Sequence, residues 1–145
     1  MKKKALEKLH RINYLGAEME ALYHQVSLKL GISDSAMRSL YTVYDNGGTC
    51  LLSDIYKQSG ISKQTVNSAI RKLENDEILY LQPETGRGKR VCLTEKGKSY
   101  VEKTVARLYA AECEIFAAWP EEEINGYIRC MEKYNELFRR QLEKM

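Results

Sequence analysis

One helical face between positions 62 and 76 carries the side chains of this sequence that are best suited to molecular recognition. Gln64, Ser68 and Arg71 are spaced by four and three residues, so at about 100° per residue they lie on the same side of a helix. This side offers amide, hydroxyl and guanidinium groups and no carboxylate, which suits hydrogen bonds to base edges and to phosphates. The DNA contacts that we predict on this segment are Ser62, Lys63, Gln64, Thr65, Asn67, Ser68 and Arg71.

These residues are expected to play different roles. Either Gln64 or Asn67 could form a bidentate pair with adenine, and Arg71 could reach a guanine or a phosphate. Ser62, Thr65 and the N-terminus of the helix suit contacts with phosphates. The alternative interpretation is an ordinary solvated helix face, and the motifs on either side of the segment favour DNA contact over it.

The turn at residues 83–90 contains a second group of positive charges. Arg87 lies between Gly86 and Gly88, and two glycines allow the backbone to approach a surface closely. An arginine at the tip of such a turn can enter a narrow and electronegative minor groove. We therefore predict further DNA contacts from Arg87, Lys89 and Arg90.

Two short helices around a tight turn are predicted to position the polar face. Ser53 suits the N-cap of a first helix over residues 53–59, and Gly60 suits the left-handed position that ends it. Ser62 caps the second helix, which runs to about position 76. An apolar stripe on the side opposite the polar face should pack against a core. It consists of Val66, Ile70 and Leu73.

A β-hairpin is predicted after the second short helix. Residues 78–82 and 90–94 are rich in β-branched, aromatic and leucyl side chains and flank the turn-forming segment. Residues 49–52 form another short β-prone stretch, which can add a third strand beside the hairpin. The pattern therefore predicts a mainly helical protein with one small sheet.

Long amphipathic helices are predicted at both ends of the chain. One covers residues 5–30, and Thr94 caps another that runs to about position 119, where Pro120 breaks it and suits the first turn of the last helix. Apolar stripes on these helices are best covered by a two-fold partner, so we predict a homodimer. Such a dimer places its two polar-faced helices about 34 Å apart, one turn of B-DNA, so the target should be a near-palindromic operator. The alternative is that the ends fold back on the core of a monomer.

With these elements the sequence resembles the MarR-type winged helix-turn-helix regulators. The resemblance is carried by LSDIYKQSGISKQTVNSAIRKLENDEIL, by the Gly/Arg/Lys wing and by LTEKGKSYV after it. It covers almost the whole chain and implies one domain over residues 1–145, with a DNA-binding lobe at 33–94 and dimerisation helices at 5–30 and 95–145. The implied fold is a winged helix-turn-helix, mainly α with a small β-hairpin wing (α+β).

Two features depart from the family pattern. The position four residues before Gly60 is usually small, but here it is Tyr56, so the two short helices must cross at a wider distance or the ring must swing out. The wing contains GRGKR where an acidic residue and an arginine are common in the family.

The resemblance also implies a ligand cavity between the dimerisation and DNA-binding parts. Tyr23, Tyr41 and Tyr44 fall on helices that enclose this cavity in the family, and aromatic walls with a polar tip suit phenolic or planar molecules. We therefore predict that a small aromatic effector binds at these residues. The alternative is that the tyrosines pack in the core or in the dimer interface.

The four cysteines and two histidines show no spacing that is typical of a metal site or a disulfide framework. His10 and His24 would lie about 21 Å apart on one helix and cannot share a metal ion. We expect no metal and no cofactor. Cys50 precedes a predicted helix N-terminus that could lower its pKa, so a redox-responsive thiol is the alternative to a small buried hydrophobic residue.

Composition and charge limit the remaining classes of function. The chain has 145 residues, 43% of them hydrophobic, and a net charge of +3. Residues 1–60 hold eight basic and six acidic groups, residues 61–98 eight and five, and residues 99–145 seven and nine. The positive excess therefore lies in the first two thirds of the chain and the tail is acidic, which suits a DNA-facing middle and a partner-facing end. No apolar run reaches the roughly 18 residues that cross a membrane, and no secretion signal begins the chain. We expect a cytoplasmic protein without a membrane partner.

The sequence contains no nucleophile elbow, phosphate loop or HExxH motif, so we expect no enzymatic activity. We predict a homodimeric, sequence-specific DNA-binding transcriptional regulator: a repressor that binds a palindromic operator and is released by a small-molecule ligand. Two alternatives remain open. One is a thiol-based, redox-responsive regulator, and the other is a winged-helix protein-interaction module that does not read DNA.

Overall fold

The computed structural model describes residues 1–86 and 88–145. This part of the chain is mainly helical with three short strands, which confirms the predicted fold class. None of its helices is long and apolar enough to cross a membrane. The helices are α1 (Lys2–Leu30), α2 (Asp34–Asp45), α3 (Leu52–Gln58), α4 (Lys63–Asn75), α5 (Glu95–Lys103), α6 (Val105–Ala117) and α7 (Glu121–Leu142), and the strands are β1 (Thr49–Leu51), β2 (Leu79–Pro83) and β3 (Lys89–Leu93).

The chain divides into two compact units, Met1–Leu108 and Tyr109–Met145. The first contains the sheet and the buried core. In the second, the ring of Trp119 lies 5.2 Å from that of Phe116 and 5.7 Å from that of Tyr127, measured between centroids, so aromatic contacts join α6 to α7. The single domain over residues 1–145 stays a prediction.

The three strands form an antiparallel sheet in the order β1-β3-β2. Val91 at its centre pairs with Cys50 on one side and with Leu81 on the other. The predicted third strand beside the hairpin is thus confirmed. Both hairpin strands lie one residue closer to the turn than predicted, because their pairing continues as far as Pro83 and Lys89.

The apolar stripe of α4 lies in the core, as predicted. Val66 has no exposed surface, and Ile70 and Leu73 are 2% and 4% exposed. They belong to a cluster of buried side chains from α2, α3, the sheet and α5 that includes Leu40, Val43, Ile55, Val91 and Val101. Burial of one side of α4 fixes which side faces outward, since the helix has only one apolar stripe.

The start of α3 differs from the prediction. Ser53 is not its N-cap, because the helix begins one residue earlier, at Leu52, and Leu51 occupies the capping position. The carboxylate of Asp54 accepts a hydrogen bond from the Leu51 N–H at 3.0 Å. An acidic side chain at the third helical position can satisfy this backbone donor, so no capping hydroxyl is needed.

The prediction of one continuous helix from Thr94 to about position 119 is wrong, because the structure has two helices there, α5 and α6. They are divided at Thr104, whose backbone has φ −123° and ψ −97° and whose side chain is 3% exposed. The hydroxyl of Thr104 donates to the carbonyl of Tyr100 at 2.8 Å. A buried threonine that bonds to the preceding turn competes with regular helical geometry, which accounts for a break where the apolar pattern predicts continuity.

Candidate nucleic-acid interface

The outward side of α4 is open to solvent. At its N-terminus, Ser62 Oγ accepts a hydrogen bond from the Thr65 N–H at 3.2 Å and donates to Thr65 Oγ1 at 2.7 Å. This cap confirms the predicted start of the helix. Ser62, Lys63, Gln64, Thr65, Ser68 and Arg71 are exposed, and Asn67 is partly buried. All seven predicted residues therefore lie outside the core, and DNA contact remains the prediction for them.

Tyr56 of α3 lies against the outer residues of α4. Its hydroxyl donates to Oδ1 of Asn67. The Nζ of Lys63 lies 5.1 Å from the centroid of the Tyr56 ring, within range of a cation–π contact. Of the two arrangements expected for a large residue at this position, the ring has thus turned toward the predicted DNA surface. No sequence pattern predicts this pairing, because the partners lie on different helices.

A cleft of about 840 Å³ lies between α3, α4 and the hairpin. Its lining includes Tyr56, Asn67, Arg71 and Lys89, which come from three separate elements. Glu74 also lines it, one turn after Arg71. The expectation of a face without carboxylates is therefore wrong for the last turn of α4. A carboxylate therefore lines this cleft together with Arg71 and Lys89.

The wing, residues 83–90, exposes only one of the two described basic residues that are predicted to contact DNA. Lys89 is exposed at the first position of β3, whereas Arg90 is partly buried and pairs with Glu84, with 3.3 Å between Nε and Oε2. The Glu84 N–H donates to the Gly88 carbonyl at 2.9 Å and closes the turn. Arg87 lies outside the described residues, so its contact with DNA stays a prediction.

The three tyrosines predicted to bind an effector are each partly buried and pack against the core. A second cleft, of about 570 Å³, lies between α1, α2 and the N-terminal end of α4. Tyr23 lines it, together with Arg38 and Thr65, but Tyr41 and Tyr44 are not among its lining residues. The structure therefore brings one of the three predicted residues to this cleft, and the effector site stays a prediction.

A hydrogen-bonded contact between two helices, which no sequence pattern predicts, also lies in the second cleft. Nδ1 of His24 is 2.8 Å from Oδ2 of Asp34, and Ser27 donates to the other carboxylate oxygen. The hydrogen bond from Ser27, with a smaller contribution from His24, holds the pKa of Asp34 below its ordinary value. The pair joins the end of α1 to the start of α2. No periodic pattern in the sequence could reveal it, because it depends on how these two helices meet.

Cys50 is a buried residue of the core, as its interpretation as a small buried hydrophobic residue predicts. The side chain is 3% exposed in β1, and burial, aided by the negative charge of Asp54, raises the pKa of its thiol to about 11. The helix N-terminus that follows does not lower it. Because the thiolate is the reactive form, this site disfavours oxidation, and the redox-responsive role stays a prediction without support from the geometry.

In this structure a short helix precedes a capped helix with one buried and one polar side, and a β-hairpin follows as part of a three-stranded sheet. This arrangement is a winged helix-turn-helix. The model of the MarR family matches residues 30–90, the segment from the end of α1 to the start of β3. The resemblance found in the sequence is thereby confirmed, and the chain has the fold of a MarR family regulator. None of the curated proteins matches the sequence.

Solved structures of MarR family proteins share this fold. NMB1585, a MarR family regulator from Neisseria meningitidis, superimposes with a TM-score of 0.74 at 17% identity, over 92% of this chain and 97% of that one. MepR of S. aureus in complex with DNA gives 0.68 at 21% identity, over 88% and 93%. BpsR of Bordetella bronchiseptica, whose DNA binding is regulated by 6-hydroxynicotinic acid, gives 0.64 at 19% identity, over 86% and 98%.

Proposed function

We propose that this chain is a sequence-specific DNA-binding transcriptional regulator that acts as a homodimeric repressor on a near-palindromic operator. Each protomer would lay α4 in the major groove and the turn at 83–90 in the adjacent minor groove. The observation that carries the proposal is the outward side of α4, which presents amide, hydroxyl and cationic groups on a helix whose other side is fixed in the core. The family match and the likeness to MepR, solved with DNA, support it.

The apolar stripes of α1 and α7 support the dimer. On α1, Leu9, Ile12 and Met19 are about half exposed, at 47%, 61% and 48%. The 22 residues of α7 include none that is buried, although Ile128, Met131 and Phe138 recur on one side of it. Exposed apolar stripes of this length mark an interaction surface, and a second copy of the chain would cover them by two-fold symmetry.

We further propose that a small aromatic effector releases the protein from DNA. The cleft between α1, α2 and α4 supports this, because it includes Tyr23 and adjoins the N-terminus of the helix that would contact DNA. BpsR, whose DNA binding responds to 6-hydroxynicotinic acid, supplies a parallel at the level of the fold. By linkage, an effector that weakens DNA binding must itself bind less tightly to the DNA complex.

Selection from random double-stranded DNA tests the proposal. The purified protein is mixed with the library, and the bound fragments are recovered and sequenced. An inverted repeat with half-sites about 10 base pairs apart, centre to centre, is the expected product. A recovered pool without an enriched sequence would contradict DNA readout and favour a protein-interaction module on the same scaffold.

Arg71→Ala should weaken binding to the selected operator by about 1–3 kcal/mol and relax selectivity at one base pair. Arg71 is exposed on α4 and lines the cleft beside the wing, so its guanidinium can reach a base edge. Fluorescence anisotropy with the operator and with scrambled DNA measures both effects. Arg107→Ala on α6 removes the same group elsewhere and should leave affinity unchanged. An equal loss on both DNAs would instead identify Arg71 as a phosphate contact.

A further inference from the structure

Tyr56 stands out because it contacts two side chains of the predicted DNA surface at once. Its hydroxyl donates to Asn67 Oδ1, and its ring lies under the Nζ of Lys63 at 5.1 Å. All three residues line the cleft between α3, α4 and the hairpin. Tyr56 itself is partly buried on α3, a helix that packs on the core through Ile55. It is therefore anchored to the scaffold rather than to the surface that it contacts.

We propose that Tyr56 is a specificity-determining positioning residue, which orients the amide of Asn67 toward a base edge in the major groove. The proposal rests on the proposed function, since it assigns a role within the same DNA interface. Tyr56 does not itself reach a base. It acts through Asn67, by fixing which edge of that side chain faces the DNA.

The chemistry of the amide determines what Asn67 can read. An asparagine side chain has one acceptor oxygen and one donor nitrogen, and a bidentate pair with adenine uses both. Here the oxygen already accepts from the Tyr56 hydroxyl, whereas both hydrogens of Nδ2 remain available to a base. Acceptors in the major groove are O6 and N7 of guanine, N7 of adenine and O4 of thymine. Asn67 therefore selects an acceptor-bearing edge, and Gln64 remains the residue suited to a bidentate adenine pair.

Preorganisation gives the hydroxyl its effect. An unrestrained amide can rotate by half a turn and present its oxygen to cytosine or adenine amino groups as readily as its nitrogen to guanine. The hydrogen bond that the Tyr56 hydroxyl donates favours the orientation in which the amide oxygen points at Tyr56, before DNA arrives. When Nδ2 of Asn67 faces the DNA, it disfavours a base whose amino group lies opposite, because both groups would be donors without an acceptor. The discrimination at that base pair thus depends on a residue of the neighbouring helix.

The contact with Lys63 is a separate effect of the same ring. Lys63 occupies the first position of α4, and the ring face holds its ammonium beside the helix N-terminus. Replacement by phenylalanine keeps this ring and removes only the hydroxyl. Tyr56→Phe therefore isolates the orientation of Asn67 from the placement of the lysine charge.

The test repeats the selection from random double-stranded DNA with wild type, Tyr56→Phe, Asn67→Ala and the double variant. We expect Tyr56→Phe to reduce discrimination at one base pair by roughly 3- to 10-fold, the worth of one neutral hydrogen bond. Its affinity for scrambled DNA should change by less than about twofold, since phosphate contacts are retained. Asn67→Ala should alter the same base pair, and the double variant should resemble Asn67→Ala alone.

Tyr80→Phe is the matched control, because Tyr80 is a 51% exposed tyrosine on β2 that lies outside the predicted contacts. It should leave the selected sequence unchanged. An identical selected sequence for Tyr56→Phe and wild type would overturn the inference and leave the proposed function intact. So would an equal loss of affinity on operator and scrambled DNA, which would make Tyr56 a general support of the surface. If wild type enriches no sequence, the proposed function itself fails.

Discussion

Met131→Glu in α7 is expected to convert a dimer into a monomer. Met131 lies on the apolar stripe of this helix and is 49% exposed in the single chain. In a two-fold dimer the substitution would bury a carboxylate from each protomer without a partner. A buried and unpaired charge costs about 3 kcal/mol or more, which corresponds to more than a 100-fold rise in the dimer dissociation constant. Sedimentation equilibrium at micromolar concentrations measures the change.

Lys133→Glu provides the control for this prediction. Position 133 lies about 200° around the helix from position 131, so the same carboxylate is placed on the opposite side. Methionine, lysine and glutamate have similar helix propensities, so α7 itself should persist in both variants. The control should remain a dimer. A monomeric wild type, or a Met131→Glu variant that dimerises as tightly as wild type, would contradict the assignment of this stripe to the interface.

Loss of the dimer should also remove most of the affinity for the operator. A monomer can occupy only one half-site, and the second half-site then no longer contributes to the same binding event. Anisotropy titration of Met131→Glu against the operator should therefore show binding close to that on scrambled DNA. This readout connects the apolar stripe of α7 to DNA recognition by α4.

Gly97→Ala is expected to have the largest effect on stability. A Cβ atom at position 97 would lie 1.8 Å from the carbonyl oxygen of Ile78 and 2.8 Å from its carbonyl carbon. The obstacle is backbone between α4 and β2, so it cannot rotate away as a side chain would. We expect a loss of roughly 3 kcal/mol or more in the free energy of unfolding, at or above the upper end for overpacking. For a chain of this length this corresponds to a fall in Tm of about 10 °C.

Urea denaturation of the purified variant measures this effect. Gly126→Ala on α7 is the matched control, because a Cβ there would meet only the Arg129 guanidinium, at an ordinary 3.7 Å. It should be neutral or slightly stabilising, since alanine favours a helix over glycine by about 0.5–1 kcal/mol. A Gly97→Ala variant as stable as wild type would show that α5 does not approach the Ile78 carbonyl this closely.

The region around Gly97 contains one feature that the sequence predicts and one that it does not. The LTEKG segment contributed to the family resemblance, and the Thr94 cap could be predicted because capping is local. In the structure, Thr94 Oγ1 accepts from the Gly97 N–H at 2.9 Å and donates to the Glu77 carbonyl at 2.6 Å. The need for glycine arises from a contact with residues almost twenty positions earlier. Such a contact is set by packing and leaves no periodic signal.

The same distinction applies to the candidate site. The caps, the turn and the two sides of α4 follow from side-chain type and helical spacing, and so the sequence predicts them well. The hydrogen bond of Tyr56 with Asn67 and the ion pair of Arg90 with Glu84 depend on how elements meet in space. The redox interpretation of Cys50 lacks support for a related reason, because burial in the sheet raises the pKa of the thiol although a helix N-terminus lies nearby.

Anisotropy titration of the purified protein against the DNA upstream of its own gene, and against a scrambled DNA of equal length, tests the central claim most directly. The titration is carried out over a series of salt concentrations. DNA readout predicts that one dimer binds each site on the upstream DNA and that binding to the scrambled DNA is much weaker. The logarithm of the affinity should fall by about 0.9 per neutralised phosphate for each tenfold rise in salt concentration. Equally weak binding to both DNAs at every salt concentration would contradict it.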